Sequence, residues 1–179
     1  ISKREKTEIE AVMNNEGKTA TKSTEEKLAL AKELGTIVQI GIVVEDMEKA
    51  QQGMRTIFGL EPDAGGESLY QNCLYRTDGQ TVDAPVISAF YNFFNIQLEF
   101  LQPVGEVNTV WRDYLNKGQF GLHHIRFDVD DNDRITQLMG ERGIGIWMEG
   151  QSLVNPKARF TYYDSLDELG FVVEVVTRA

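Results

Sequence analysis

The spacing of hydrophobic and polar positions changes several times along this chain, and the changes outline its elements. Val38, Ile40, Ile42 and Val44 alternate with Gln39, Gly41 and Val43, which predicts a strand over residues 37–44. Asp46 then stands as an N-cap before Met47, Ala50, Met54 and Ile57, one stripe of a helix that Gly59 stops. The same order returns with a strand over 123–129, Asp131 as the cap, Ile135, Leu138 and Met139 on the stripe, and Gly143 as the stop. Shifting the sequence by 85 residues lays Ile40 on Ile125, Val44 on Val129, Asp46 on Asp131, Gln52 on Gln137 and Met54 on Met139. Charge type matches too, at Glu45 with Asp130, Glu48 with Asp133 and Lys49 with Arg134. An internal repeat is therefore expected. Both halves close on a strand with one carboxylate in an apolar run, Glu99 within 96–101 and Glu174 within 171–176.

Residues 86–91 and 159–164 predict a third strand in each half, and Thr109 to Lys117 a linking helix ended by Gly118, with Val110, Trp111, Tyr114 and Leu115 on its buried side. Each half then reads βαβββ. The fold class is α+β: two such modules in pseudo-two-fold arrangement, forming a curved sheet around a cavity with their helices outside. Module 1 spans about 36–104 and module 2 about 121–177. Residues 1–35 differ. They hold seven basic and seven acidic residues and no aromatic one. A capping box, Ser23 with Glu26, precedes Leu28, Leu30, Ala31 and Leu34, so a short helix is expected before Gly35. Residues 1–22 predict either another weakly amphipathic helix or partial disorder. The whole leader reads as a helical extension of a domain over 36–179.

Composition narrows the function classes. With 18 basic against 28 acidic residues the formal charge is −10, the wrong sign for a partner of nucleic acid or anionic membrane. No run reaches the roughly 18 to 20 apolar residues that a membrane helix needs. The lone Cys73 forms no internal disulfide, which makes the cytoplasm the default compartment. Ile1 in place of Met leaves a removed N-terminal signal open.

Period-2 alternation also says which side chains face the cavity. Ile125, Phe127 and Val129 suit the helix side, leaving His124, Arg126 and Asp128 within, while Leu98 and Phe100 oppose Glu99, and Val173 and Val175 oppose Glu174. Gln39 and His124 hold equivalent repeat positions, as do Glu99 and Glu174. One imidazole, one amide oxygen and two carboxylates make a candidate site for one divalent ion, with Zn, Ni, Co, Mn and Fe all compatible with such a mixed set. Two of six octahedral positions would stay open, which favours catalysis over a structural clip. The competing reading is a structural site in which Arg126 bridges the two glutamates. His123 is expected to point towards the helix layer as a structural histidine, and the aromatic residues of the third strands to be mostly core, with a few lining an apolar pocket.

The strings VQIGIVVEDMEKA, IQLEFLQPVG, GLHHIRFDVDD and GFVVEVV resemble the vicinal oxygen chelate superfamily, which includes glyoxalase I, methylmalonyl-CoA epimerase and extradiol dioxygenases. The likeness covers about residues 36–177. It implies metal ligands on the first and last strands of each module, here Gln39, Glu99, His124 and Glu174. This ligand set is similar to that of one glyoxalase I branch, while the stretch from LEFLQPVG to GLHH looks more like the epimerases, which usually carry His where Gln39 stands. The DSLDELG segment departs from the epimerase pattern. The resemblance implies a metal-dependent lyase, lactoylglutathione lyase-like, or an epimerase, methylmalonyl-CoA epimerase-like, acting on a small carbonyl or thioester compound through an enediolate or enolate. Glu174, or failing it Glu99, would be the base, and Arg126 would hold a substrate carboxylate or phosphate. Two chains pairing as a homodimer is the expected assembly. The alternative is a metal-free ligand-binding protein of the antibiotic-sequestering type on the same fold.

Overall fold

A computed structural model of the protein describes residues 24–76, 79–153, 155 and 157–177. The expectations for residues 1–22 and for the Ser23 capping box lie outside these residues. The chain divides between Lys32 and Glu33 into two units. Helix α1 (Thr24–Leu34) is followed by Gly35, whose φ of 71° ends it. All strands among the described residues belong to the second unit.

The first module runs β1 (Ile37–Val43), α2 (Met47–Phe58), β2 (Ala64–Tyr75), β3 (Gln80–Phe93) and β4 (Ile96–Pro103). Helix α3 (Val110–Asn116) links it to β5 (Gly121–Val129), α4 (Asn132–Gly140), β6 (Ile146–Gln151), β7 (Arg159–Tyr163), the single turn α5 (Leu166–Leu169) and β8 (Val172–Thr177). The caps follow the sequence closely. Asp46 accepts from the Lys49 amide and Asp131 from that of Arg134, so each βα junction is closed by one carboxylate. Gly59 ends α2 in the left-handed region, as expected. Its counterpart differs: α4 already ends at Glu141, and Gly143 serves the turn beyond it. Strand β3 extends past the expected 86–91 at both ends, because its ladders with β2 and β4 continue through positions with no apolar alternation, whereas β7 stays within the expected 159–164 and β8 lies one residue later than 171–176.

The strands close into a barrel in the order β1-β4-β3-β2-β6-β7-β8-β5. Two parallel pairs, β1 with β4 and β5 with β8, meet through the antiparallel β1–β5 pair. The pseudo-two-fold shows in the register. Gly41 pairs Glu99 two residues after Gln39, and Arg126 pairs Glu174 two residues after His124. Helix α2 lies outside, with Met47 and Met54 packed on Ala89, Tyr91 and Phe100. Burying each such methionine contributes about 1.5–3 kcal/mol. Ile135, Leu138 and Met139 of α4 are buried as expected.

Helix α3, the link between the modules, packs inward, while the module helix α2 lies outside as expected. Val110, Trp111 and Tyr114 join Val43, Cys73, Tyr75, Leu101, Met148 and Tyr162 in one core cluster, so α3 fills part of the barrel interior. Thr109 caps it, its hydroxyl accepting from the Arg112 amide. Most aromatic residues of the third strands are core, as expected, and Phe94 beyond them is not. It sits 97% exposed at the β3–β4 hairpin with φ of 57°, neither core nor pocket lining.

Candidate metal centre and cavity

Adjacent strands β4, β1, β5 and β8 deliver the polar residues that alternation places inside. Glu99 on β4 and His124 on β5 both pair with Gly41 on β1, so they flank one residue that lacks a side chain. A Cβ at Gly41 would lie 1.8 Å from His124 Cε1 and 2.1 Å from Nε2. Glycine at this position is what lets the imidazole lie across β1. His124 Nε2 stands 3.3 Å from a Glu99 oxygen and 3.1 Å from Glu174 Oε2. Ligand atoms of Glu99, His124 and Glu174 all fall within 4.8 Å of one another, and all three residues are buried.

The electrostatics of this cluster are taut. Burial pushes the Glu99 pKa up against the opposing pull of His124. For His124, burial acts to lower the pKa, but Glu174 and then Glu99 overcome it and push it up to about 9. Buried carboxylates need a positive partner. Yet His124 Nε2 and Glu174 Oε2, although within ion-pair distance, lie off any hydrogen-bond line and have no hydrogen-bond partner. Such atoms, converging without bonding each other, fit a divalent cation between them. Gln39 is buried beside them, and its Nε2 donates to Gln97 Oε1 at 2.6 Å, which leaves the amide oxygen as its available ligand atom.

The cluster forms one wall of a cavity of about 450 Å³. Tyr70, Trp111, Phe160 and Tyr162 supply its apolar wall, and Asn92, Gln97, Arg126 and Asp128 line it with polar groups. Burial raises the Tyr70 and Tyr162 pKa values, and Glu99 and Glu174 raise them further, so both phenols stay neutral donors. Arg126 is the one basic residue among the described cavity-lining residues. Its Nε and one terminal nitrogen bind the same Asp128 oxygen at 2.9 and 2.8 Å, an arrangement that rejects the bridge to Glu99 and Glu174 set out as a competing reading.

Alternation thus brought Gln39, Glu99, His124, Glu174 and Arg126 to one surface. It missed three supports. Gly41 is visible only as a small residue between Gln39 and Val43. Gln97 was legible as the inward neighbour of Glu99 two positions away. His123 contradicts its expected placement: the β1–β5 register passes from Gly41↔His124 to Ile42↔Leu122 and skips it. That bulge turns His123 inward, 0% exposed, against Tyr114 of α3 and beside His124.

Comparison with known proteins agrees with this architecture. The family model described as Glyoxalase/Bleomycin resistance protein/Dioxygenase superfamily matches residues 38–162. Mitochondrial methylmalonyl-CoA epimerase of Bos taurus is 27% identical over 120 residues, which cover 65% of this chain and 59% of that relative's length. Among solved structures, a hypothetical protein from Bacillus halodurans C-125 superposes with a TM-score of 0.59 at 17% identity, over 80% of this chain and 94% of that one. A methylmalonyl-CoA epimerase variant from Streptomyces coelicolor, in complex with 2-nitronate-propionyl-CoA, gives 0.55 at 22% identity, with coverage of 80% and 94%. Both structural likenesses carry the fold. Among the described residues, no helix is long and apolar enough to cross a membrane.

Proposed function

The chain belongs to the Glyoxalase/Bleomycin resistance protein/Dioxygenase superfamily, and from that premise we propose that it is a divalent-metal-dependent isomerase. It epimerises a small thioester or related carbonyl compound at the carbon next to the carbonyl. The observation that carries the reading is the buried Glu99, His124 and Glu174 group, whose ligand atoms converge with Nε2 and Oε2 otherwise unbonded. Glu99, His124 and Glu174 would hold the ion, with the Gln39 amide oxygen as fourth ligand. The bound ion supplies Lewis-acid polarisation of the substrate carbonyl, which acidifies the adjacent C–H.

The other roles fall to the protein's own groups. Glu174 would take the proton from the α carbon, leaving a planar enolate, and Glu99, the second choice for the base, would deliver a proton to the opposite face so that the configuration inverts. The aromatic wall excludes water from the carbanionic form. Arg126 still has N–H groups beyond those spent on Asp128, and they hold a substrate carboxylate or phosphate at the polar end of the cavity. Likeness to the bovine epimerase supports the epimerase reading over a hemithioacetal lyase, which would share the proton-transfer step.

Elemental analysis of the purified protein is expected to find about one divalent ion per chain, lost in His124→Ala. With a 2-methyl dicarboxylic thioester as probe, the wild type is expected to exchange the α hydrogen for solvent deuterium. Glu174→Gln is expected to fold, keep part of its metal affinity and lose that exchange. Undiminished exchange in Glu174→Gln would move the proton transfer elsewhere. A protein that takes up no metal after reconstitution, yet binds small ligands tightly, would instead be the metal-free sequestering type.

A further inference from the structure

We propose that His123 is a positioning residue that fixes the tautomer and orientation of His124, so that His124 offers a bare Nε2 to the centre. This rests on the metal-dependent reading above. The chain has two histidines, and the bulge in β5 places them side by side in the interior with both rings fully buried. Their Nδ1 atoms lie 3.0 Å apart, with ring planes at 89°. At that distance the two nitrogens share a hydrogen bond, so one carries a proton and the other accepts.

Chemistry at the far side of His124 decides which. Its Nε2 faces Glu99 and Glu174, and an imidazole that coordinates through Nε2 keeps its single proton on Nδ1. His124 Nδ1–H is then the donor, and His123 must present a bare Nδ1, with its own proton on Nε2. His123 is suited to this passive role. Its ring is 0% exposed, touches His124, Tyr114 and Tyr162, and aims Nδ1 at His124 Nδ1.

The His123 ring is also held in place. Tyr114 packs edge-on at 5.0 Å between ring centroids, and its hydroxyl donates to the Leu122 carbonyl at 2.7 Å, next to the bulge. Tyr162 packs against both imidazoles, at 6.0 and 5.1 Å. Helix α3 and β7 together therefore set the angle at which His124 meets the centre. A neutral acceptor has an electrostatic advantage over a carboxylate here. Two ligand carboxylates already balance a divalent ion, and a third buried anion would leave the interior with uncompensated charge.

Two variants of similar polarity separate positioning from mere packing. In His123→Asn the side-chain oxygen falls where Nδ1 was, so the acceptor survives; in His123→Gln it falls near the place of Nε2, and the acceptor is lost. Metal-stripped full-length protein would be titrated with Co²⁺, followed by its visible absorption, alongside long-range ¹H–¹⁵N spectra of the two imidazoles. Expected are a wild-type His123 in the Nε2–H form, before and after Co²⁺, Asn within about threefold of wild-type affinity, and Gln weakened by about 10- to 100-fold. An Nδ1–H form of His123, or Gln binding Co²⁺ as tightly as Asn, would overturn the proposal. If either variant fails to fold, the wild-type tautomer spectrum alone still decides. Wild-type protein that takes up no Co²⁺ would overturn the metal-dependent reading itself, an outcome distinct from the other two.

Discussion

The imidazole of His124 occupies the space that any side chain at position 41 would fill, and the neighbouring strands pin Gly41 from both sides. Gly41→Ala must therefore displace the ring or part the strands, an overpacking that costs about 1–3 kcal/mol. It is expected to lower the urea midpoint and to weaken Co²⁺ binding together, and normal binding in a stable Gly41→Ala protein would refute the contact. Arg126 makes the opposite forecast. Its pair with Asp128 is open to solvent, with side chains 26% and 33% exposed, so screening leaves it worth only about 0–1 kcal/mol of stability. Arg126→Met should leave the melting temperature nearly unchanged while substrate affinity falls by roughly 10- to 100-fold, the worth of a charge-assisted contact of about 1.5–3 kcal/mol. Calorimetry with and without an anionic thioester tests both halves of that statement.

Among the elements, α3 buries Val110, Trp111 and Tyr114 of its seven residues in the core. Trp111 is buried against Tyr70 and Tyr162, the two phenols that wall the cavity. Trp111→Ala opens a void there and is expected to cost about 3–5 kcal/mol. Thr109→Ala removes only the N-cap bond to the Arg112 amide and should cost about 0.5–2 kcal/mol. Urea unfolding of the two variants ranks them, and an equal cost would mean that α3 is held by its cap rather than by its insertion into the barrel. The buried side of α3 was legible in the sequence, because Val110, Trp111 and Tyr114 share a helical stripe. Its destination was not, because a stripe states that a face is covered and leaves the covering surface open.

For the molecule as a whole, closure of the barrel runs through the seam with the fewest paired positions among the described residues. Among the described residues, strands β2 and β6 pair through Leu74↔Glu149 and Tyr75↔Met148, with Arg76 N to Trp147 O just beyond. Cys73 lies beside this seam, 0% exposed, and the Phe160 ring and Cys73 sulfur crowd Gly150 across it. Burial, helped by Asp83, pushes the thiol pKa up to about 12, so at pH 8 the native thiol is both shielded and protonated. Alkylation by iodoacetamide at that pH should be slow in the native protein, complete in urea, and accelerated by any variant that loosens the seam. Mass spectrometry reads the outcome, and fast native labelling would show that the barrel opens there without unfolding.

Local physics made much of this protein readable from its residues alone. Alternation with period 2 and stripes with period 3.6 depend only on neighbours in the chain, so the two βαβββ modules and the Asp46 and Asp131 caps could be read directly, as could the inward direction of Gln39, Glu99, His124 and Glu174. Tertiary structure decided whatever depends on distance between strands. Whether His123 faces in or out turns on a one-residue bulge, which alternation cannot register because it assumes an unbroken ladder. The need for glycine at position 41 arises only once β5 lies beside β1 and an imidazole 83 positions away fills the gap. Three ligand atoms within 4.8 Å likewise result from sheet register, the point at which residues remote in sequence first acquire a common geometry.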